Sequence, residues 1–297
     1  MIWHLFDKPE YCFQPRFLWR RLFRHRRPGK VLSTITLPFG LPLQVDPSED
    51  LGRSILTFGI YDLVLSEVIW RLADAGETVL DAGANIGYVT ALLAQRVGSR
   101  GTVHSFEPHP EVLKCLRQNV ASWQRARPTL AVVTVHPVAL GAKSCIARLV
   151  EPAEFSTNRG TATLAARQPA AGRCFEVPVA RLDDEMSVTV PIGLMKLDVE
   201  GHELDLLLGA QNLLSAGSVR DIVFEEHGSL PGKVAGRLQA AGYSVFTLDR
   251  TFWGPRLLPP DQSPRTRWLP TNLLATRNAA RARQRLVACG WQVLRGC

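Results

Sequence analysis

Hydrophobic and polar residues follow two different periods along the middle of the chain. Short apolar runs of strand length recur there, and between them lie stretches with apolar residues three and four positions apart. The pattern predicts strands at 78–80, 102–106, 130–135, 194–197, 221–224, 243–248 and 272–276, and helices at 61–72, 86–95, 203–214 and 232–241, with a further helix that includes 112–120. Strands that alternate with helices need crossover connections, so we predict a doubly wound α/β fold: a mostly parallel sheet with helices on both faces. Residues 141–192 show few periodic runs and are expected to form an irregular insert.

Positive charge is concentrated at the two ends. Residues 1–30 carry a formal charge of +6 and residues 265–297 carry +7, against +8 for the whole chain, so the middle is mildly acidic. The segment 16–27 mixes arginines with aromatic residues, which suits a short helix on an anionic membrane surface or one packed against the main domain. We therefore divide the chain into a basic aromatic N-terminal extension (1–30), a main domain (31–276) and a basic C-terminal tail (277–297).

Composition excludes several classes of protein. No apolar run approaches the ~18 residues of a membrane-spanning helix, and no signal peptide is predicted at the start. The six cysteines are scattered without a C-x-x-C pair, so neither a structural zinc site nor a disulfide scaffold is expected. We expect a cytoplasmic location, with peripheral membrane contact through residues 1–30 left open.

A glycine-rich turn follows the first strand of the alternating region. Gly83, Asn85 and Gly87 occupy it, and Asp81 stands at the tip of the strand. A dinucleotide fingerprint carries glycine where this chain has Asn85, because the main chain must approach the pyrophosphate there. A dinucleotide is therefore disfavoured. The carboxylate of Asp81 would repel a phosphate but suit a cationic ligand, although a helix-capping role would also explain it.

An acidic residue ends the next strand at the distance expected for ribose binding. Glu107 follows Gly87 by 20 residues, and a carboxylate about 20 residues beyond such a turn accepts the ribose hydroxyls. A positively charged nucleoside without a pyrophosphate is S-adenosylmethionine, which we predict as the cofactor, with Asp81, Gly83, Asn85, Gly87 and Glu107 as its binding residues. A solvated strand end is the alternative interpretation of Glu107.

A third cluster stands at the end of the strand 194–197. Lys196, Asp198, Glu200, His202 and Glu203 crowd the edge of the sheet where ligands bind. Carboxylates suit a helix N-terminus, which would explain Glu200 and Glu203. That account does not extend to Asp198 or to Lys196.

The segments 79–88, 106–110 and 196–203, the last followed by Gly209 and Ala210, resemble the FkbM-type methyltransferases. These are S-adenosylmethionine-dependent enzymes of the Rossmann-like class. The resemblance runs from about residue 58 to 248, and the stretch 196–210 is its most specific part. Asp62 departs from the pattern, because such enzymes usually carry glutamate there, and the basic N-terminus lies outside the shared region.

The resemblance implies methyl transfer to a hydroxyl of a sugar, glycan or other small metabolite. An aliphatic hydroxyl must lose its proton in the reaction, so a base or a metal is needed. We predict His202 as the base, with Asp198 and Glu200 orienting the acceptor or the imidazole, and His227 as a second candidate. Metal-free catalysis is preferred over a divalent cation held by Asp198, Glu200 and His202, and residues 158–161 are either a lid or a surface loop.

Two other functions stay open. One is a binding or regulatory protein that keeps the cofactor fold without catalysis. The other is a nucleic-acid methyltransferase recruited by the basic ends, which is disfavoured because no amino-methylating N-P-P-Y motif follows Lys196.

Overall fold

The computed structural model describes residues 9–23, 32–152, 155, 158, 160, 162–165, 172–226, 229–264 and 271–295. His227 and positions 159 and 161 of the suggested lid lie outside these ranges. Among the residues described, no helix is both long enough and apolar enough to cross a membrane.

The elements follow the predicted alternation. The helices are α1 (Pro9–Phe13), α2 (Pro15–Phe23), α3 (Asp50–Phe58), α4 (Leu63–Leu72), α5 (Tyr88–Val97), α6 (Pro110–Ala126), α7 (Leu182–Glu185), α8 (Glu203–Gly209), α9 (Gln211–Ser215), α10 (Lys233–Ala240) and α11 (Ala279–Leu286). The strands are β1 (Ser33–Thr36), β2 (Pro42–Val45), β3 (Thr78–Ala82), β4 (Thr102–Phe106), β5 (Val132–His136), β6 (Ala139–Leu140), β7 (Cys145–Val150), β8 (Thr163–Ala165), β9 (Cys174–Ala180), β10 (Ile192–Leu197), β11 (Val219–Glu226), β12 (Ser244–Thr251), β13 (Gly254–Leu258) and β14 (Thr271–Thr276).

The main sheet has eight strands in the order β13-β12-β14-β11-β10-β3-β4-β5. The five strands from β11 to β5 are parallel, while β14 runs antiparallel to both β11 and β12, and β13 antiparallel to β12. Alternate side chains of β3 point to opposite faces of the sheet and belong to two separate cores. Val79 packs in the core that includes α4, α5 and α6, and Leu80 packs in the core that includes α8, α9 and α10. The predicted doubly wound α/β fold is confirmed, because both faces of the sheet are covered by helices.

Two predicted helices have different bounds for identifiable reasons. The helix predicted at 86–95 begins at Tyr88, because the positive-φ turn through Gly87 occupies the preceding residues. The helix predicted at 203–214 is divided between Gly209 and Gln211. At Gly209 the helix comes so close to the main-chain carbonyl of Gly141 that a side chain would overlap it.

The insert at 141–192 is more regular than predicted. Strands β6, β9, β7 and β8 form a second sheet in that order, in which β9 pairs parallel with β6 and antiparallel with β7. The strands were not recognisable in the sequence because half of the side chains of β7 are exposed, so the segment lacks a continuous apolar face. The expectation of an irregular insert was therefore wrong for the described part.

Both terminal segments pack against the main domain. On α2 the side chain of Phe17 is buried, and its ring occupies the space that a side chain at Gly59 would need. The segment predicted as a tail contains α11 and a short 3₁₀ helix at Gln292–Leu294, with Trp291 fully buried. The described residues of 277–297 therefore share the core of the main domain.

Candidate active site

The candidate site lies where the sheet changes its winding direction, between β3 and β10. β3 leads to helix α5 on one face of the sheet, and β10 leads to α8 on the other. Open α/β sheets bind their ligands at the carboxyl ends of the strands beside such a point. A cavity of about 390 Å³ opens there, which falls within the roughly 300–1,000 Å³ of small-molecule sites.

The turn after β3 forms one wall of this cavity. Gly83, Asn85 and Gly87 all have positive φ, at 76°, 50° and 95°. A side chain at Gly83 would overlap the main-chain carbonyl of Asp198, so glycine is required at this contact between two strand ends. Asn85 holds the left-handed conformation, which asparagine adopts more readily than most residues.

Glu107 extends from the end of β4 onto the cavity. Its Oε2 accepts the main-chain N–H of Asn85 at 2.8 Å, and its Oε1 accepts that of His109 at 2.9 Å. The side chain is buried, and burial raises the pKa of Glu107 to about 7, although the two N–H donors oppose this shift. Each carboxylate oxygen keeps a further lone pair, so Glu107 can accept hydrogen bonds from a ligand hydroxyl.

Asp81 lies beneath the turn and is not among the residues that line the cavity. It is fully buried, its Oδ2 accepts the hydroxyl of Thr90 at 2.6 Å, and the Nζ of Lys196 lies 3.7 Å from its Oδ1. Burial raises the pKa of Asp81, and the positive charge of Lys196 opposes that rise. The sequence suggested that Asp81 faces the ligand, whereas in the structure it lies behind the turn and does not line the cavity.

The side chain of Lys196 contacts the end of β3, the turn that follows it and the segment after β10. Its Nζ donates to the carbonyl of Gly83 at 2.8 Å and lies 3.0 Å from Oδ2 of Asp198, besides its contact with Asp81. Burial alone would lower the pKa of Lys196, but the carboxylates of Asp198 and Asp81 outweigh burial and raise it. The ammonium is therefore held in its charged form at the switch point.

Three carboxylates, those of Asp198, Glu200 and Glu225, form an acidic wall of the cavity next to the turn. Burial, followed by repulsion from Asp198, raises the pKa of Glu200 to about 7 and that of Glu225 to about 9. Glu200 also has positive φ, at 50°, which is unusual for a residue with a long side chain. Perturbed carboxyl groups in a cavity are characteristic of functional sites.

A second, more open cavity of about 830 Å³ adjoins this acidic wall. Glu200 and Glu225 line both cavities, and the chain from Ser229 to Val234 forms much of the far side of the second one. The two spaces therefore meet at the same pair of carboxylates.

His202 lies at the edge of the first cavity, and both ring nitrogens contact hydrogen-bond acceptors. Its Nε2 lies 3.1 Å from the carbonyl of Leu164 and 3.3 Å from the hydroxyl of Thr163, and its Nδ1 lies 3.3 Å from Oδ2 of Asp205. Each ring nitrogen of His202 therefore already has a polar contact outside any ligand.

Most lining residues were not predicted from the sequence as site residues, and Glu225 and Tyr61 are two of them. Glu225 follows the apolar part of β11 and lines the cavity at the same edge of the sheet as Asp198. Tyr61 lies in the loop before α4, and its side chain also lines the cavity. A carboxylate directly after an apolar strand was an available signal for Glu225. Tyr61 gives no comparable signal, because it comes from a loop distant in sequence. Asn158 and Gly160, part of the suggested lid, also line the cavity.

A family model described as the methyltransferase FkbM domain matches residues 81–245. The chain belongs to the FkbM methyltransferase family. The resemblance seen in the sequence is therefore confirmed, and with it the assignment as an S-adenosylmethionine-dependent methyltransferase. The matched region begins at Asp81 and includes the turn, Glu107 and the whole segment from Lys196 to Glu225.

Comparison with solved structures finds weakly similar proteins. An FkbM methyltransferase from Methylobacillus flagellatus shares 18% identity with a TM-score of 0.39, and the match covers 68% of this chain and 44% of that one. An S-adenosylmethionine-dependent O-methyltransferase from Thermotoga maritima shares 17% identity with a TM-score of 0.42, covering 82% and 77%. The Aeropyrum pernix fibrillarin complex with S-adenosyl-L-methionine shares 13% with a TM-score of 0.40, covering 71% and 74%. A comparison with curated proteins gives no match.

Proposed function

We propose that this FkbM-family protein methylates a hydroxyl of a sugar, glycan or secondary metabolite with S-adenosylmethionine as the donor. The observation that carries the proposal is the arrangement of the first cavity. The glycine turn with Glu107 forms one wall, and Asp198, Glu200 and Glu225 form the acidic wall next to it. A donor site and an acceptor site in one cavity would bring the two reactants together.

The residues of the first wall fit the donor. The free lone pairs of Glu107 would accept the ribose hydroxyls, and Gly83 and Asn85 would let the main chain approach the methionine part of the molecule. Gly87 does not line the cavity and would act by shaping the turn, because a side chain there would overlap Leu116 and Trp123. S-adenosylmethionine supplies a methyl group on a positively charged sulfur, and the acidic walls suit that charge. Asp81 would act indirectly, through its contact with Lys196, which binds the carbonyl of the turn.

Removal of the acceptor proton requires a base, because an alcohol is about as weak an acid as water, with a pKa of roughly 15.7. Among the predicted residues we favour Glu200 for this role, since it lines both cavities and its pKa of about 7 suits a general base at neutral pH. His202, which the sequence analysis predicts as the base, becomes the second candidate, because its ring nitrogens are engaged by Leu164 and Asp205. Asp198, held by Lys196, would orient the acceptor.

The second cavity supports a hydroxyl-bearing acceptor. Carboxylates accept hydrogen bonds from hydroxyl groups, and those of Glu200 and Glu225 line both cavities. The same negative charge opposes the approach of a phosphate backbone. In addition, Arg281 and Arg285 near the C-terminus are paired with Asp74 rather than presented to a polyanion. These observations favour a sugar-like acceptor over nucleic acid.

The proposal is tested first by binding and then by turnover. Calorimetric titration with S-adenosylhomocysteine should show one site per chain, and labelled S-adenosylmethionine should transfer its methyl group to a member of a panel of sugars and glycosylated metabolites. RNA and DNA are included in the same panel. Labelling of nucleic acid alone would replace the proposed acceptor class. Cofactor binding with no transfer to any acceptor would favour the non-catalytic alternative. The cytoplasmic location and the contact with an anionic membrane surface stay predictions.

A further inference from the structure

His109 stands at the junction between the cofactor strand and the insert. It is 1% exposed, although it follows Glu107 by only two residues on a connection at the edge of the cavity. Its main-chain N–H donates to Oε1 of Glu107 at 2.9 Å. Its ring Nδ1 accepts the main-chain N–H of Glu111 at 3.3 Å, and so caps α6. One residue therefore contacts the candidate ribose carboxylate and the following helix.

The other ring nitrogen of His109 faces the insert sheet. Nε2 lies 3.0 Å from Oε1 of Glu151, which directly follows β7 and is buried. Because Nδ1 acts as an acceptor in the cap, the ring proton is on Nε2, and it is donated to Glu151. The ring also stacks on Phe155, with centroids 4.7 Å apart and planes 20° apart, and meets the edge of Phe175 at 4.9 Å.

The insert in turn completes the cavity. Its residues Leu149, Ala162 and Leu164 line the cavity together with His109 and Glu107. Arg173, at the start of β9, has Nη1 3.6 Å from Glu151 and also binds the side chain of Glu111 on α6. The contacts around Glu151 are thus the polar connection between this part of the insert and the end of β4.

We propose that His109 and Glu151 are positioning residues, which fix the Glu107 carboxylate and the insert relative to one another and thereby set the affinity for the nucleoside part of the cofactor. The proposal rests on the proposed function, because it takes the ligand of Glu107 to be S-adenosylmethionine or its product.

The physical reason is preorganisation. Among the described residues, two main-chain N–H groups donate to Glu107, and one of them belongs to His109, whose ring is anchored by Glu151. If that ring is released, the N–H of His109 can move away from Glu107, and the carboxylate must be reoriented when the ligand binds. Binding then carries the cost of ordering both the carboxylate and the insert.

The test uses full-length protein and calorimetric titration with S-adenosylhomocysteine. His109→Asn keeps an acceptor that can cap α6 but is too short to reach Glu151, and Glu151→Ala removes the partner alone. Each is expected to raise the Kd about tenfold, as for coupled contacts in one network. Glu151→Gln retains an oxygen that accepts from Nε2 and should restore the Kd to within about threefold. Glu151→Asp, which draws the carboxylate back by one methylene, serves if the alanine variant does not fold.

A matched control and a double-mutant cycle separate positioning from general destabilisation. His136 and Glu185 form another histidine–glutamate contact, at 3.1 Å, and neither lines the first cavity. Glu185→Ala should leave the Kd unchanged even if it lowers the melting temperature. In a Glu107→Gln background the effect of Glu151→Ala should fall below about threefold, because both act through the same carboxylate.

Several outcomes overturn the inference. A Kd that stays normal in both His109→Asn and Glu151→Ala, or effects that multiply fully with that of Glu107→Gln, shows that the pair does not position Glu107. Absence of binding by the wild-type protein is a different result, which contradicts the proposed function instead.

Discussion

Glu67 and Arg71 lie one turn apart on α4 and form a buried ion pair, with Arg71 Nε 2.5 Å from Glu67 Oε1. The pair also binds the C-terminal segment. Glu67 accepts the main-chain N–H groups of Gln292 and Val293 at 2.9 and 2.8 Å, and Arg71 donates to the carbonyl of Ala288 at 2.6 Å. A charged pair inside the core therefore attaches the last turn of the chain to the helix that borders the candidate site.

The first prediction concerns this pair. Glu67→Ala should lower the free energy of unfolding by about 3–5 kcal/mol, because it leaves the Arg71 guanidinium buried without its partner. Urea denaturation measures the change. The control is Asp50→Ala, which removes the exposed Asp50–Arg53 pair on α3 and should cost less than about 1 kcal/mol. Equal losses in the two variants would contradict the assigned role of the buried pair.

The second prediction concerns Glu107. Glu107→Ala should weaken S-adenosylhomocysteine binding by about 1.5–3 kcal/mol, the value of a hydrogen bond to a charged group. Wild-type affinity should also fall as the pH decreases through about 7, because the carboxylate, whose pKa is raised to that value, becomes protonated. Asp261→Asn, at an exposed position after β13 that does not line the cavity, provides the control. Glu107 is not at the site if its alanine variant binds as tightly as the control.

The third prediction separates the two candidate bases. Glu200→Gln should lower the turnover number about 10²–10⁴-fold on an accepted hydroxyl substrate, with near-normal affinity for S-adenosylhomocysteine. His202→Gln should retain most of the activity, since the ring of His202 is engaged by Leu164 and Asp205. Steady-state kinetics with labelled donor decides between them. A large loss in His202→Gln with a small loss in Glu200→Gln would reverse the assignment.

The fourth prediction is a dependence of stability on pH. Burial and the charge of Asp198 raise the pKa of Glu225 to about 9, so the folded protein holds this proton more tightly than the unfolded chain does. Its contribution to stability is complete below about pH 4.5 and is lost as the pH rises towards 9. Glu225→Gln, which cannot ionise, should therefore gain stability relative to wild type as the pH rises from 5 to 9. Chemical denaturation across this range should show the difference growing with pH, and a constant difference would contradict the assignment.

The fifth prediction concerns the N-terminal helices. Phe17→Ala should cost about 3–5 kcal/mol, because the ring is fully buried against Gly59. Trp19→Ala, on the same helix but 61% exposed, should cost far less. Thermal unfolding of the two variants tests whether this segment belongs to the folded domain, and similar small losses in both would show that it does not.

The sequence alone determined the features that depend on neighbouring residues. The periods of apolar residues located most strands and helices of the main sheet, because burial of one face is a local pattern. The turn from Gly83 to Gly87, the acidic residue at Glu107 and the cluster after Lys196 were all predicted at the carboxyl ends of strands. In a parallel sheet these ends share one edge, so their proximity followed from the fold class.

Only the tertiary structure decided which charges meet. The sequence could not show that Asp81 is buried beneath the turn and contacts Lys196, because the two residues lie on different strands. Nor could it show that Glu225, on β11, lines the cavity together with Asp198 and Glu200, which follow β10. For the same reason the arginines near the C-terminus suggested a basic tail, whereas Arg281 is paired with Asp74 and Asp221. The insert strands were hidden because their exposed faces carry no apolar period, and their sheet is fixed by pairing between segments some thirty residues apart. Local patterns specify elements, but ion pairs and cavities depend on long-range packing that one sequence does not display.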